Sequence, residues 1–422
     1  MRRGVGAAVG AAVLVALGCH PANQATANQA TANQVTAVAP ACGGGRGYVI
    51  MLSLDGFKPA YLEDAPNLSE MAATGARAES LIPVFPSKTF PNHYSIVTGL
   101  YVEHHGLAGN RFWDPARRQW YFIGDTVAVR DASWYGGEPI WVTAERQGVR
   151  SAAFLWPASE APIGGVRPSR YKIFARDDSV PMIARADSLV SWLALPACER
   201  PHLILGYMEV VDHAGHAAGP DAPLTRAAVR EADSAVGRLL DGVRVSAVRD
   251  SVTVIVVSDH GMARIDSVVD AAALVHADST APGEQIAEGP IAAMWFDGDT
   301  ARARRAHAVL VATLRHARVY TRDELPARFR ANVPRIGDLV LVADDGWAFG
   351  SPAKPHTAGN HGYDPMQPDM RAVFIANGAG IRRGVVLPAF ENVNIYSLIA
   401  HLLALEPAPT DGNIALFQKA LR

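Results

Sequence analysis

Five short runs of almost uninterrupted apolar character constrain this chain more than any other feature. They are Tyr48 to Leu54, Ala152 to Leu155, Leu203 to Met208, Val252 to Ser258 and Ala372 to Ala376. A strand that is apolar on both faces must be covered on both faces, which is the habit of parallel sheets wrapped by helices. Helical stretches lie between the runs. The clearest spans Pro223 to Val243, where Leu224, Ala228, Ala232, Val236, Leu239 and Val243 recur at three- and four-residue steps. Asp221 is placed to cap that helix, with Pro223 in its first turn. The alternation predicts an α/β fold: a mostly parallel central sheet with helices on both faces. Residues 264–358 carry mixed signals and are expected to form an inserted smaller subdomain.

Composition narrows the function. Of 422 residues, 49% are hydrophobic and 19% charged, enough apolar material for a large core. Lys plus Arg number 39 against 41 for Asp plus Glu, a net of −2, so the chain has no footprint of a general nucleic-acid binder. A small charged substrate is compatible with that balance. Three cysteines (Cys19, Cys42, Cys198) are too few for a disulfide scaffold or a cysteine-built metal site. Cys42 and Cys198 are available to pair in an oxidising compartment.

The first residues read as targeting. Arg2 and Arg3 precede a short apolar core, Gly6 to Leu17, too short to span a membrane. Ala16-Leu17-Gly18-Cys19 is close to a lipoprotein cleavage site, although Leu and the small residue stand in reversed order. Residues 1–19 are therefore expected to be a signal peptide, with export to a periplasm or a lipid anchor on Cys19. A five-residue polar repeat follows from Ala22, and residues 20–47 read as a flexible tether. Residues 48–422 are left as one large folded domain.

In parallel α/β sheets, ligands bind beyond the carboxyl ends of the strands. Asp55-Gly56 follows the first run. Asp212 and His216, four residues apart, follow the third. Asp259-His260-Gly261 follows the fourth, and Gly359-Asn360-His361-Gly362 lies near the end. Each alone is an ordinary turn or cap. Together they make three Asp and three His that one sheet edge can collect. Such O and N donors without sulfur suit zinc or another transition metal, and six suffice for two ions. Paired ions are a common device for displacement at phosphorus. Ser87-Lys88-Thr89-Phe90-Pro91-Asn92-His93 precedes a helix-like segment from Tyr94 to Thr98. A hydroxyl there is either a helix cap or a nucleophile beside the orphan N–H groups of a helix start.

Longer motifs surround these residues. They include Lys88-Thr89-Phe90-Pro91-Asn92-His93-Tyr94, Gly109-Asn110, Gly136-Gly137-Glu138-Pro139-Ile140-Trp141 and Phe154-Leu155-Trp156-Pro157-Ala158-Ser159. With Ser258-Asp259-His260-Gly261-Met262 and Gly359-Asn360-His361-Gly362-Tyr363-Asp364, the chain resembles the ectonucleotide pyrophosphatase/phosphodiesterase family of the alkaline phosphatase superfamily. The likeness covers nearly all of residues 48–420. It implies two Zn²⁺ ions. Asp55, Asp259 and His260 would hold one, which also contacts Thr89, and Asp212, His216 and His361 the other. It implies that Thr89 is the nucleophile and that Asn110 and the Phe90 N–H bind a phosphoryl oxygen. Phe90 and Tyr171 would stack on a nucleobase, and Lys88 would attract the phosphate. Val211 replaces the proline usual in the animal members, and their Cys-rich extra domains have no counterpart here.

The implied chemistry is attack by Thr89 on phosphorus, with net retention after two displacements. Asp212 alone leaves the second site about +1 in formal charge, which favours a nucleotide or other phosphodiester over a monoester. Alternatives are a phosphomonoesterase or phosphonoacetate hydrolase of the same superfamily and an inactive zinc-stabilised binding protein. An arylsulfatase would need Cys or Ser followed by x-Pro-x-Arg, which Thr89-Phe90-Pro91-Asn92-His93 does not supply.

Overall fold

In the computed structural model, which describes residues 45–174, 180–277, 280–354 and 356–422, all five apolar runs lie in one sheet. Its strands are β1 (Tyr48–Leu54), β2 (Ala76–Ala78), β3 (Ser151–Phe154), β4 (Arg170–Lys172), β5 (Leu203–Met208), β6 (Val252–Val257), β11 (Phe374–Gly378) and β12 (Val385–Leu387). A second sheet is built from β7 (Glu284–Glu288), β8 (Ile291–Trp295), β9 (Ala317–Thr321) and β10 (Leu339–Ala343). The order across the large sheet is β12-β2-β11-β6-β1-β5-β3-β4. β1 pairs in parallel with β5 and β6, so three strand ends open side by side at its centre. β11 is antiparallel to both its neighbours.

Helices cover both faces. They are α1 (Pro66–Thr74), α2 (Thr89–Thr98), α3 (Ile140–Arg146), α4 (Met182–Leu193), α5 (Val210–Ala218), α6 (Pro223–Val245), α7 (Thr300–Thr313) and α8 (Ile395–Leu402). Successive β1 side chains point to opposite sides. Ile50 and Leu52 pack with Leu68 of α1, Leu189 of α4 and Val236 of α6. Val49 and Met51 join the core of α2, α3 and α8, with Tyr94, Trp141 and Leu398. Trp113, Trp134, Trp141 and Trp156 are buried, as core residues should be.

The second sheet has the antiparallel order β7-β8-β10-β9. Met294, Leu339 and Leu341 on one face pack with Ala306 and Leu310 of α7. Ile291, Ala293 and Trp295 on the other face join the α2 core. The insertion therefore shares its inner face with the main body.

Three local expectations change. Asp221 does not cap α6: it stands one residue before the cap position, which Ala222 holds, and an alanine side chain has no acceptor to offer. The last apolar run pairs over Phe374–Gly378 rather than from Ala372. The helix placed at Tyr94 begins at Thr89, five residues earlier.

Residues 1–44, with the signal, most of the tether and the lipid site at Cys19, lie outside the described residues. The Cys42–Cys198 pairing falls partly there, at Cys42; Cys198 is disulfide-bonded. No helix among the described residues is long and apolar enough to cross a membrane. Leu52 is wholly buried on the central strand. Leu52→Ala should cost about 2–5 kcal/mol, read as a lower urea midpoint at unchanged slope.

Candidate active site

Asp55 directly follows β1, and Asp259 and His260 follow β6, so parallel pairing sets them side by side. α5 starts two residues after β5, placing Asp212 in its first turn and His216 one turn on, on the same face. The α5 start is fixed by Glu209, which forms a buried pair with Arg185 of α4 (Nη2–Oε1 2.6 Å). His361 arrives from across the sheet. Residues Gly359–Asn360 pair antiparallel with Ala263–Arg264, just beyond His260. Gly215 leaves room for this approach: a Cβ there would lie 2.9 Å from the Met262 methyl group.

Two groups result, Asp55–Asp259–His260 and Asp212–His216–His361, with the donor atoms of each within 4.8 Å of one another. All six residues singled out in the sequence are brought together. In the first, His260 Nε2 is 2.9 Å from Asp259 Oδ2 and 3.4 Å from Asp55 Oδ1. In the second, His216 Nε2 and His361 Nε2 are each 3.5 Å from Asp212 Oδ1.

The surrounding hydrogen bonds set the protonation. His216 Nδ1 meets the Gly359 carbonyl, His260 Nδ1 that of Gly261 and His361 Nδ1 that of Ser87, each at 2.9 Å. A carbonyl only accepts, so every Nδ1 carries the proton and every Nε2 presents a lone pair to the site. His216 and His361 then face each other through bare Nε2 atoms 3.2 Å apart. The carboxylates follow the same logic. Tyr207 O–H donates to Asp55 Oδ2 at 2.6 Å and Gly56 N–H to Asp259 Oδ1 at 3.3 Å. Asp55 Oδ1, Asp259 Oδ2 and Asp212 Oδ1 are buried with no hydrogen-bond partner among the described residues. Burial, then the neighbouring carboxylates, pushes the Asp55 carboxyl well above the usual range. Burial does the same to Asp259, with Asp212 adding to it. Burial also holds His260 and His361 below the ordinary imidazole value. Converging lone pairs and unpaired carboxylate oxygens make both groups candidate cation sites, and backbone-anchored histidines are the usual support of such ligands.

Thr89 is the first residue of α2, and neither it nor Ser87 caps the helix. Lys88 holds the cap position without a side-chain bond, and Ser87 Oγ donates to the Tyr363 carbonyl at 3.0 Å. Thr89 Oγ1 lies 3.4 Å from His260 Nε2. The preceding loop is pinned by Asn92. Its Nδ2 donates to the Pro86 and Lys88 carbonyls at 3.0 and 2.8 Å, and its Oδ1 accepts from Val84 N–H at 2.7 Å.

Other expected residues are placed differently. The Phe90 N–H, expected to hold a phosphoryl oxygen, donates to Asn110 Oδ1 at 2.9 Å. The Phe90 ring is fully buried and meets Phe174 edge-on at 5.1 Å. Tyr171 lies on the edge strand β4, exposed, with Arg167 6.0 Å from its ring centroid. Phe174, not Tyr171, makes the ring contact with Phe90 and a second with Tyr207 at 5.3 Å. Lys88 is buried and donates to Asn360 Oδ1 at 3.3 Å, so it is not the solvated lysine of a surface loop. His93 and His105 are structural. His93 joins Thr89 O to Ser53 Oγ, and burial lowers it to about 3. His105 accepts from or donates to Ser95 Oγ at 2.9 Å.

Sequence reasoning missed Tyr207, Asn92, Phe174 and Glu160. The signal for Tyr207 was present: a polar hydroxyl at the end of an otherwise apolar strand. Glu160 follows the Trp156-Pro157 motif, is buried, and has no side-chain hydrogen-bond partner for either carboxyl oxygen among the described residues.

A search against family models matches residues 49–364 to the type I phosphodiesterase / nucleotide pyrophosphatase family. Among curated proteins, an uncharacterised pyrophosphatase/phosphodiesterase of Schizosaccharomyces pombe is 35% identical over 86% of this chain and 78% of its own length. Human ectonucleotide pyrophosphatase/phosphodiesterase family member 1 is 34% identical over 86% of this chain but only 40% of its own. Human ectonucleotide pyrophosphatase/phosphodiesterase 5 superposes with a TM-score of 0.82 at 28% identity, covering 89% of this chain and 100% of that one. An inactive threonine-to-alanine form of the murine enzyme, in complex with AMP, gives 0.81 at 28% identity and the same coverage. The chain thus belongs to the type I phosphodiesterase / nucleotide pyrophosphatase family and has its alkaline-phosphatase-like fold. It spans most of the yeast relative and less than half of the human family member 1.

Two outcomes follow from the buried charges. Asp259 is raised by burial without a cation, so neutralising it should help chelated protein most where its carboxyl would otherwise be charged. Asp259→Asn should raise the melting temperature of chelated protein near about pH 8 and change it little near about pH 5. In metal-loaded protein the same substitution should lower it near about pH 8, since a cation needs the deprotonated ligand. Glu160 is pushed by burial from 4.5 to about 7. A raised carboxyl stabilises the fold at low pH, and that contribution is lost as pH rises from 4.5 through 7. Glu160→Gln should therefore raise stability by about 3 kcal/mol above neutrality and by nothing at acid pH.

Proposed function

We propose that the protein hydrolyses phosphodiester or pyrophosphate bonds of nucleotides, with Thr89 as the nucleophile and two zinc ions in the paired Asp/His groups. The observation that carries the reading is the Thr89 hydroxyl, at a helix start and 3.4 Å from the His260 Nε2 lone pair of the first group. Asp55, Asp259 and His260 fit one ion, and Asp212, His216 and His361 the other. Bound there, zinc supplies Lewis acidity that lowers the pKa of a coordinated hydroxyl or water.

The chain's own groups supply the rest. Thr89 Oγ attacks phosphorus in line, a phosphothreonine ester forms as the leaving oxygen departs, and water hydrolyses the ester. Two inversions give net retention. The start of α2 turns the positive end of a helix dipole toward the anionic phosphoryl oxygens. Asn110 has Oδ1 engaged by Phe90 N–H, so its Nδ2 is the donor left for a phosphoryl oxygen. A nucleobase is read as lying against the aromatic group around Phe90 and Phe174, with nucleoside monophosphate as product. AMP in the murine relative supports a nucleotide as substrate. That relative's inactivation by loss of one threonine hydroxyl supports a threonine nucleophile. Export, with a periplasmic location or a lipid on Cys19 and the tether to residue 47, completes the proposal.

The test compares bis-p-nitrophenyl phosphate with p-nitrophenyl phosphate on zinc-loaded protein. The diester should be strongly preferred, and Thr89→Ala should lower kcat at least about a thousandfold. Preference for the monoester would assign the protein to the phosphatase branch instead. Full activity in Thr89→Ala would remove Thr89 from the mechanism.

A further inference from the structure

Asn360 is not among the six donors, yet it stands between His361 and the insertion. Its Oδ1 accepts from the His361 backbone N–H at 2.9 Å and from Lys88 Nζ at 3.3 Å. Its Nδ2 donates to Thr357 Oγ1 at 3.2 Å. One carboxamide thus ties the backbone of a donor residue to the residue that precedes Thr89.

The tip of the β7–β8 hairpin closes on this amide. Gly289, at φ +65°, has no side chain there, and a Cβ would fall 2.4 Å from Asn360 Oδ1 and 2.5 Å from its Cγ. The tip is held by its own subdomain: Phe349 N–H donates to the Gly289 carbonyl at 2.7 Å and Ala343 N–H to that of Pro290 at 2.9 Å. Glu288, next along the hairpin, exerts the strongest carboxylate field on the Lys88 ammonium, ahead of Asp212. Nothing in a peripheral subdomain requires such an approach to the catalytic sheet edge.

We propose that Gly289 is a positioning residue for the Asp212–His216–His361 group. The hairpin tip presses on the Asn360 carboxamide, which in turn fixes the backbone of His361 and the ammonium of Lys88. This rests on the two-ion reading above. The inserted sheet thereby acquires a role in the site, because its close fit against Asn360 sets how well the second ion is held.

The experiment is a two-step zinc titration against a chromophoric chelator, with metal content measured independently. Unaltered protein should bind two ions. Gly289→Ala should weaken one of the two steps about 10- to 100-fold, the scale for loss of a supporting partner, and leave the other unchanged. Gly298→Ala is the control for backbone strain, since Gly298 also has a positive φ (+83°) but nothing within 4 Å of a Cβ. It should leave both steps unchanged. Asn360→Ala should weaken the same step as Gly289→Ala. Because the crowding partner is then gone, adding Gly289→Ala to Asn360→Ala should cost little more. Fully additive losses, or two unchanged steps in both single variants, would overturn the brace alone. Fewer than two ions in the unaltered protein would overturn the two-ion reading and the brace with it. Should Gly289→Ala fail to fold, Asn360→Ala decides: two unchanged steps in that variant reject the proposal.

Discussion

Three imidazole N–H groups bonded to backbone carbonyls hold this site in its working state. Gly359, Gly261 and Ser87 each accept from one histidine Nδ1, and this turns three Nε2 lone pairs inward. Without those bonds the rings could flip or protonate, and a protonated imidazole is no metal ligand. The carbonyls come from three separate segments of the chain. The His216 and His361 tautomers are therefore a property of the assembled fold, whereas His260 is set by its own neighbour Gly261.

The carboxylates obey the complementary rule. Asp55 and Asp259 each have one oxygen held by a protein donor and the other left without one. Burying such oxygens is costly unless a positive charge answers them. The main body accepts that cost at the carboxyl end of its central strands, where three parallel neighbours stop together. Its largest cores lie on either side of the same strands, so the least yielding part of the molecule carries the most strained electrostatics.

Much of this was legible in the sequence. Apolar runs without alternation pointed to the parallel sheet, and the Asp and His residues just beyond them pointed to the six donors. Their spacing at strand ends carried the information, since parallel pairing aligns those ends. What was not legible depended on contacts between distant segments. Asp221 looked like a cap, but the helix starts one residue later, so the cap position falls on Ala222. Tyr171 was expected beside Phe90 as a stacking aromatic; the ring that contacts Phe90 is Phe174, three residues on and past the end of the edge strand, where the sequence pattern gives no orientation. The four-stranded insertion was expected only as mixed signals, because its outer strands, Glu284–Glu288 and Ala317–Thr321, are only partly buried and carry no continuous apolar run.

The six donors are spread from Asp55 to His361, across 307 residues of a 422-residue chain. The second group is incomplete until His361 has joined Asp212 and His216. On the two-ion reading, most of the polypeptide must therefore be made before both groups can take a cation. Loading of the second group would then be a late event, drawing on the compartment in which the chain finishes folding.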